Sequence, residues 1–125
     1  MKMDYVILYV DNVAKAAEFY QQAFDLKIKF VHESNTYAEM VSGETTLAFA
    51  DNELLFSNTG LVPLKGTNNC FEIAFSTSDV MQAFTKAVAN GAVELAKPVS
   101  KPWGQTVAYV QDPFGTIVEI CTPMA

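Results

Sequence analysis

The sequence predicts an α+β domain built from two βαβββ units that form an open, cupped mixed sheet with the helices outside. Three observations predict it: a strand followed at once by an amphipathic helix occurs twice, three short strand signals follow each helix, and a stretch rich in Asn, Gly and Thr around Pro63 separates the two sets. Residues 5–26 and 72–92 carry the strand-then-helix script, and a shift of 67 positions superimposes them. Val13, Ala16, Ala17 and Tyr20 then fall on Val80, Ala83, Phe84 and Ala87. Both sets have the i, i+3, i+4, i+7 spacing of a single helix face. Asp11 or Asn12 starts the first helix and Thr77 to Asp79 starts the second, since their side-chain oxygens cap free backbone N–H groups. Asn90-Gly91 ends the second as a left-handed cap.

After the first helix, residues 27–32, 36–41 and 45–50 read as strands, with Ser42-Gly43 turning the chain between the last two. After the second helix the strands are 93–97, 105–111 and 116–122, with Asp112-Pro113-Phe114-Gly115 as the final turn. Residues 53–56 read as a short extra strand before a linker at 57–69. The predicted organisation is a single domain over 1–125, with 1–56 as the first unit and 70–125 as the second. A βαβββ unit leaves one sheet face uncovered, so two units side by side make a cup, and the cup is the natural pocket.

Charge narrows the choice of partner. The chain carries a formal charge of −6, and its basic residues are eight lysines with no arginine. That balance argues against nucleic acid and anionic membrane surfaces and favours cationic partners. Without arginine there is no planar fork to grip phosphate or carboxylate groups. The apolar runs are strand-sized, short of the ~20 residues of a membrane span, and the N-terminus lacks the pattern of a signal peptide, so a cytoplasmic location is expected. Cys70 and Cys121 each sit in a strand-like segment without metal-ligand spacing, which favours buried reduced thiols.

The paired units, the run from Tyr109 through Asp112-Pro113-Phe114-Gly115 to Glu119, and the opening Leu8-Tyr9-Val10-Asp11-Asn12 with Phe19-Tyr20 together resemble the vicinal-oxygen-chelate superfamily of glyoxalases, bleomycin-resistance proteins and extradiol dioxygenases. The resemblance implies a homodimer. In metal-dependent members it implies a divalent ion held by side chains from the first and last strands of each unit. Glu119 matches the last of those ligands. The first-strand positions, where histidine is expected, hold Tyr5 and Glu72, and counting from the first-half turn puts Leu47 opposite Glu119, or Ala48 or Phe49 after a slip. Two glutamates and a phenol are a poor set for zinc, nickel or iron, which favour imidazole and three or more protein ligands. His32, the sole histidine, lies at the end of a strand, off the ligand positions.

The expected function is therefore metal-free, cofactor-free binding of a cationic, partly aromatic small molecule of bleomycin type, nearest the bleomycin-resistance branch. The alternative is a lyase, isomerase or dioxygenase that uses a metal or the carboxylates. Glu72 and Glu119, both placed in the cup with no arginine to neutralise them, raise their own proton affinity or attract a cation. Trp103, the one tryptophan, is presented from a loop over 97–105 stiffened by Pro98 and Pro102, where its indole can stack on a planar or cationic group. A tryptophan-glycine pair at this place resembles the bleomycin-binding proteins. Tyr5, Tyr37, Phe49, Phe56 and Tyr109 complete the expected ligand-binding set, all on strands read as cup wall.

Overall fold

The structure is a computed structural model that describes residues 1–63 and 71–124. The chain divides into two compact units, Met1–Lys65 and Gly66–Ala125. The first contains β1 (Tyr5–Val10), α1 (Val13–Phe24), β2 (Lys27–Val31), β3 (Tyr37–Val41), β4 (Thr46–Asp51) and α2 (Asn52–Thr59). The second contains β5 (Glu72–Ser76), α3 (Val80–Ala89), β6 (Val93–Ser100), β7 (Thr106–Gln111) and β8 (Ile117–Cys121). Each unit has the predicted βαβββ order and folds into its own four-stranded mixed sheet, β1-β4-β3-β2 in one and β5-β8-β7-β6 in the other. In both, the first strand runs parallel to the last and the other pairings are antiparallel.

The helices form where apolar spacing and caps coincide. Asn12 accepts a hydrogen bond from the Lys15 N–H and Asp79 one from the Gln82 N–H, which satisfies donors that have no partner inside the helix. The predicted face of α1 is buried, with Phe19 and Ala23 added to it, and Tyr20 packs on Phe49 with ring centroids 5.0 Å apart. That pair anchors the first core, where Leu8, Val10, Ala38, Met40, Leu47 and Phe49 turn toward the helix. The second core is assembled the same way from Val80, Phe84 and Ala87 of α3 with Ala108, Val110, Val118 and Ile120.

Two expected elements differ. Residues 53–56 belong to α2, a helix, because Asp51 accepts from the Glu53 N–H as its N-cap and Gly60, at φ 76°, closes it in the left-handed region. The run Leu54-Leu55-Phe56 is too short for its period to separate strand from helix, and the caps decide. α2 therefore takes up the start of the expected linker. The sixth strand continues past 97 to Ser100, which shortens the tryptophan loop at its front. Cys70 lies outside the described residues, whereas Cys121 is a buried free thiol. Among the described residues no helix is long and apolar enough to cross a membrane.

Candidate functional site

Alternation along a strand sends every second side chain to one face, and residues paired across strands share a face. In the second unit the register runs Ala74 to Glu119 to Tyr109, with Glu72, Ile117 and Gln111 on one side of that row and Ser76, Cys121 and Val107 on the other. All of these lie on the face opposite the one that buries Val118 and Ile120 against α3. Register is held by the Asp112 turn, whose buried carboxylate accepts from the N–H groups of Phe114 and Thr116, each at 2.8 Å. The strand that follows thereby delivers Glu119 to the helix-free face.

Glu72 and Glu119 are diagonal neighbours there, since Glu72 pairs with Ile117 and Ala74 with Glu119. Hydrogen bonding to Glu119 first, then burial and the Glu119 charge, holds the Glu72 carboxyl above the usual carboxylate range, which favours a proton on the pair. Burial first, then the charges of Glu119 and Glu72, raises the Tyr109 phenol. The Cys121 thiol is raised by burial and by the charge and hydrogen bond of Glu119. The described ion pairs are Lys2 with Asp4 and Lys29 with Glu39, so neither glutamate has a cationic partner among the described residues.

Trp103 stands at the tip of the β6–β7 turn. The Lys101 N–H bonds the Gln105 carbonyl at 2.7 Å, and Gly104, at φ 97°, makes the left-handed step that a side chain would resist. The indole is 61 % exposed. Its N–H donates to Gln105 Oε1 at 2.8 Å, and Gln105 Nε2 donates to the Thr122 carbonyl at 2.8 Å, so the ring is tethered to the end of β8. Thr122 lies three residues from Glu119, about 10 Å along a strand.

In the first unit the corresponding face carries Tyr5, Ile7 and Tyr9 from β1, Thr46, Ala48 and Ala50 from β4, and Tyr37 and Glu39 from β3. Glu39 is only 8 % exposed. Tyr37 donates its hydroxyl to Glu39 Oε2 at 2.8 Å, and Lys29 Nζ lies 3.5 Å from Glu39 Oε1. The Tyr37 phenol is pushed well above its ordinary range by burial, by that hydrogen bond and by the Glu39 charge, with Tyr5 contributing. Glu39, Lys29 and Phe30 were not read as site residues from the sequence. The signal for Glu39 was present, since a glutamate two residues after Tyr37 in a strand must share its face.

The expected residues thus separate. Glu72, Tyr109 and Glu119 come together on one unit's face, and Tyr5 and Tyr37 on the other's. Phe49 does not join them: it is fully buried against Tyr20 on the helix side, so it is core rather than pocket wall. Phe56 is not on a strand at all but on α2, where it is exposed. His32 is exposed in the β2–β3 turn, its Nδ1 2.7 Å from Ser34 Oγ.

Register also fixes which residues of the two units are equivalent. Tyr5 pairs with Thr46 and Glu72 with Ile117, so Ala48, paired with Ile7, is the counterpart of Glu119, which is paired with Ala74. The count that favours Leu47 is one residue short, and Leu47 faces the helix. Tyr5, Ala48, Glu72 and Glu119 offer two carboxylates, one phenol and a methyl group, a donor set that does not fit a tightly held transition metal. Among the described residues no group of three or more His, Cys, Asp or Glu side chains could hold an ion.

Comparison with known proteins fits this scaffold. A model of the glyoxalase-like domain matches residues 3–125. The uncharacterised protein YraH of Bacillus subtilis is 27 % identical over 124 residues, which is 96 % of this chain and 97 % of that protein. A glyoxalase/bleomycin resistance protein/dioxygenase family enzyme from Burkholderia phytofirmans superposes with a TM-score of 0.85 at 19 % identity, covering 98 % of each chain. A glyoxalase-related enzyme from Fulvimarina pelagi gives 0.85 at 21 % identity, over 98 % of this chain and 88 % of its own.

Proposed function

The chain belongs to the family of glyoxalase-like domains, and on that premise we propose that it is a metal-free binding protein that sequesters a cationic, partly aromatic small molecule of bleomycin type. The observation that carries this reading is the Glu72–Glu119 pair, two carboxyls that are neighbours on one sheet face with no cation beside them among the described residues. A cationic ligand supplies the missing counter-charge and displaces the shared proton. Trp103 and Tyr109 add aromatic surface for the planar part of the molecule, a contact worth ~1 to 2 kcal/mol when desolvated. A homodimer is part of the proposal, because the outer strands of both sheets, β1 and β2 in one and β5 and β6 in the other, leave edges that association would cover.

The test is calorimetric titration with a bleomycin-type drug, read in parallel by the emission of Trp103. Saturable binding that weakens with salt and in the Glu72→Gln/Glu119→Gln variant supports sequestration. An unmoved emission across a broad panel of cationic and neutral ligands overturns it. Light scattering at micromolar concentration tests the dimer, and a monomer mass refutes that part.

One observation favours a second reading. Carboxyls that share a proton form a general acid–base pair, so a metal-free isomerase acting on a neutral carbonyl compound would also use Glu72 and Glu119. Exchange of substrate carbon-bound hydrogen with solvent deuterium, lost in Glu119→Gln, distinguishes it from binding alone.

A further inference from the structure

We propose that Gln105 is a positioning and specificity-determining residue: by engaging the Trp103 indole N–H it fixes the ring as a platform that meets ligands only through its π faces, which selects planar cations over planar carbonyl compounds. The inference rests on the reading of Trp103 as the stacking surface of the sequestration site, and it deepens that reading.

The backbone of the hairpin tip is set before any side chain acts. Lys101-Pro102-Trp103-Gly104 is a turn closed by the Gly104 N–H on the Lys101 carbonyl at 3.0 Å. Pro102 occupies the position whose φ proline presets, and Gly104 takes the left-handed step at φ 97°. These bonds hold the Trp103 backbone. They leave the indole its rotamers, since a ring 61 % exposed has little packing to choose between them.

Gln105 makes that choice. The indole N–H can only donate and the Thr122 carbonyl can only accept, so joining them takes a side chain with an acceptor and a donor side by side. A carboxamide is such a group. Gln105 Oε1 accepts the indole N–H at 2.8 Å while Nε2 donates to the Thr122 carbonyl at 2.8 Å. The far end is itself held, because the Thr122 N–H donates to the Thr106 carbonyl and the Thr106 N–H to Thr122 Oγ1, each at 3.0 Å. A glutamate at 105 would meet the Thr122 carbonyl with a second acceptor, and an asparagine would be one methylene short.

The chemistry offered to a ligand follows. With its one donor committed, the indole has no hydrogen left for a carbonyl oxygen, while its ring faces still attract positive charge. A planar cation loses nothing by this, and a neutral carbonyl compound of the same shape finds no partner. Fixing the ring in advance also spares the ligand the cost of ordering one side chain, which corresponds to about two- to tenfold in affinity.

N-methylpyridinium, a planar cation without a hydrogen-bond acceptor, is the probe, and N-methylpyridone is its neutral carbonyl counterpart. Proton NMR at low salt follows the indole N–H and the ring protons of each probe. The wild type should bind the pyridinium saturably and more tightly than the pyridone. Gln105→Met keeps the side-chain length without either polar atom: the indole N–H should exchange with solvent faster, pyridinium binding should weaken about two- to tenfold, and the pyridone should close the gap. In a Trp103→Phe background, which has no N–H to tether, Gln105→Met should change pyridinium affinity by less than about twofold. An equal loss in both backgrounds means that Gln105 acts through the fold and overturns the proposal. Unchanged selectivity in Gln105→Met, or no pyridinium binding by the wild type, overturns it as well. Failure of the drug titration with pyridinium selectivity intact refutes sequestration of the drug and leaves the role of Gln105 standing.

Discussion

Asp112→Ala is the sharpest test of what holds the acidic face in position. Asp112 is 3 % exposed, and one of its oxygens accepts from two backbone N–H groups, those of Phe114 and Thr116, each at 2.8 Å. Truncation leaves both donors without that partner in a turn too tight to admit replacement water freely. A hydrogen bond to a charged group contributes ~1.5 to 3 kcal/mol, and because the two share an oxygen they do not add in full, so a loss of about 3 to 4 kcal/mol is expected. Asp112→Asn keeps an oxygen in place and forfeits mainly the charge, so it should cost about 1 to 1.5 kcal/mol. Urea unfolding monitored by both circular dichroism and tryptophan emission reads the difference as a midpoint shift of roughly 1.5 to 2 M for alanine, given a slope of ~2 kcal/mol/M. An alanine variant that loses under about 1 kcal/mol, or an asparagine variant as damaged as alanine, would refute the claim that this carboxylate fixes the turn.

Trp103→Ala should weaken drug binding about five- to 150-fold, by calorimetry, yet cost at most ~2 kcal/mol of stability because the indole is 61 % exposed; a core tryptophan would cost ~3 to 5. Glu72 has its folded-state pKa raised above 4.5, so its contribution to stability is present below about that pH and is lost as pH rises through the folded value. Stability measured from pH 4 to 7 should therefore decline more in the wild type than in Glu72→Gln, and parallel curves would contradict the shared proton. Phe49→Ala should cost ~3 to 5 kcal/mol in a thermal or urea melt, whereas Phe56→Ala, on the exposed side of α2, should cost under ~1 kcal/mol. Similar losses in the two variants would mean that Phe49 is not the core residue its packing on Tyr20 indicates.

The repeated script was legible because it is written in periods. A 3.6-residue stripe marked α1 and α3 and a two-residue alternation marked the strands, and both are local properties of sequence. The misreadings fell where local pattern is silent. Residues 53–56 carry no period long enough to decide, and the helix there follows from Asp51 and Gly60 outside the apolar run. Phe49 was placed on the wrong side because β4 is apolar on both faces: Leu47 and Phe49 point to the helix while Ala48 and Ala50 face away, all of them buried. Only pairing with Ala38 and Leu8 fixes which is which. Glu39 escaped notice for a different reason, since its meaning lies in Lys29 and Tyr37, one of them on another strand and brought near by a bulge.

Equivalent register positions expose an exchange between the units that neither sequence half shows alone. Tyr5 and Glu72 occupy one position, Glu39 and Tyr109 a second, Ala48 and Glu119 a third. Each face keeps a phenol and a carboxylate but swaps the strands that carry them, and only the second adds another carboxylate. The electrostatic outcomes differ accordingly. In the first unit Lys29 and Tyr37 already meet the charge of Glu39. In the second, neither Glu72 nor Glu119 has a cation beside it among the described residues, and an incoming cation displaces nothing heavier than a proton. Affinity for a cationic drug at the second face should therefore rise with pH as the proton favoured by the raised Glu72 pKa is lost. Drug titrations followed through Trp103 emission across the acid-to-neutral range check this, and an affinity that does not rise with pH would show that the cation does not bind by displacing that proton.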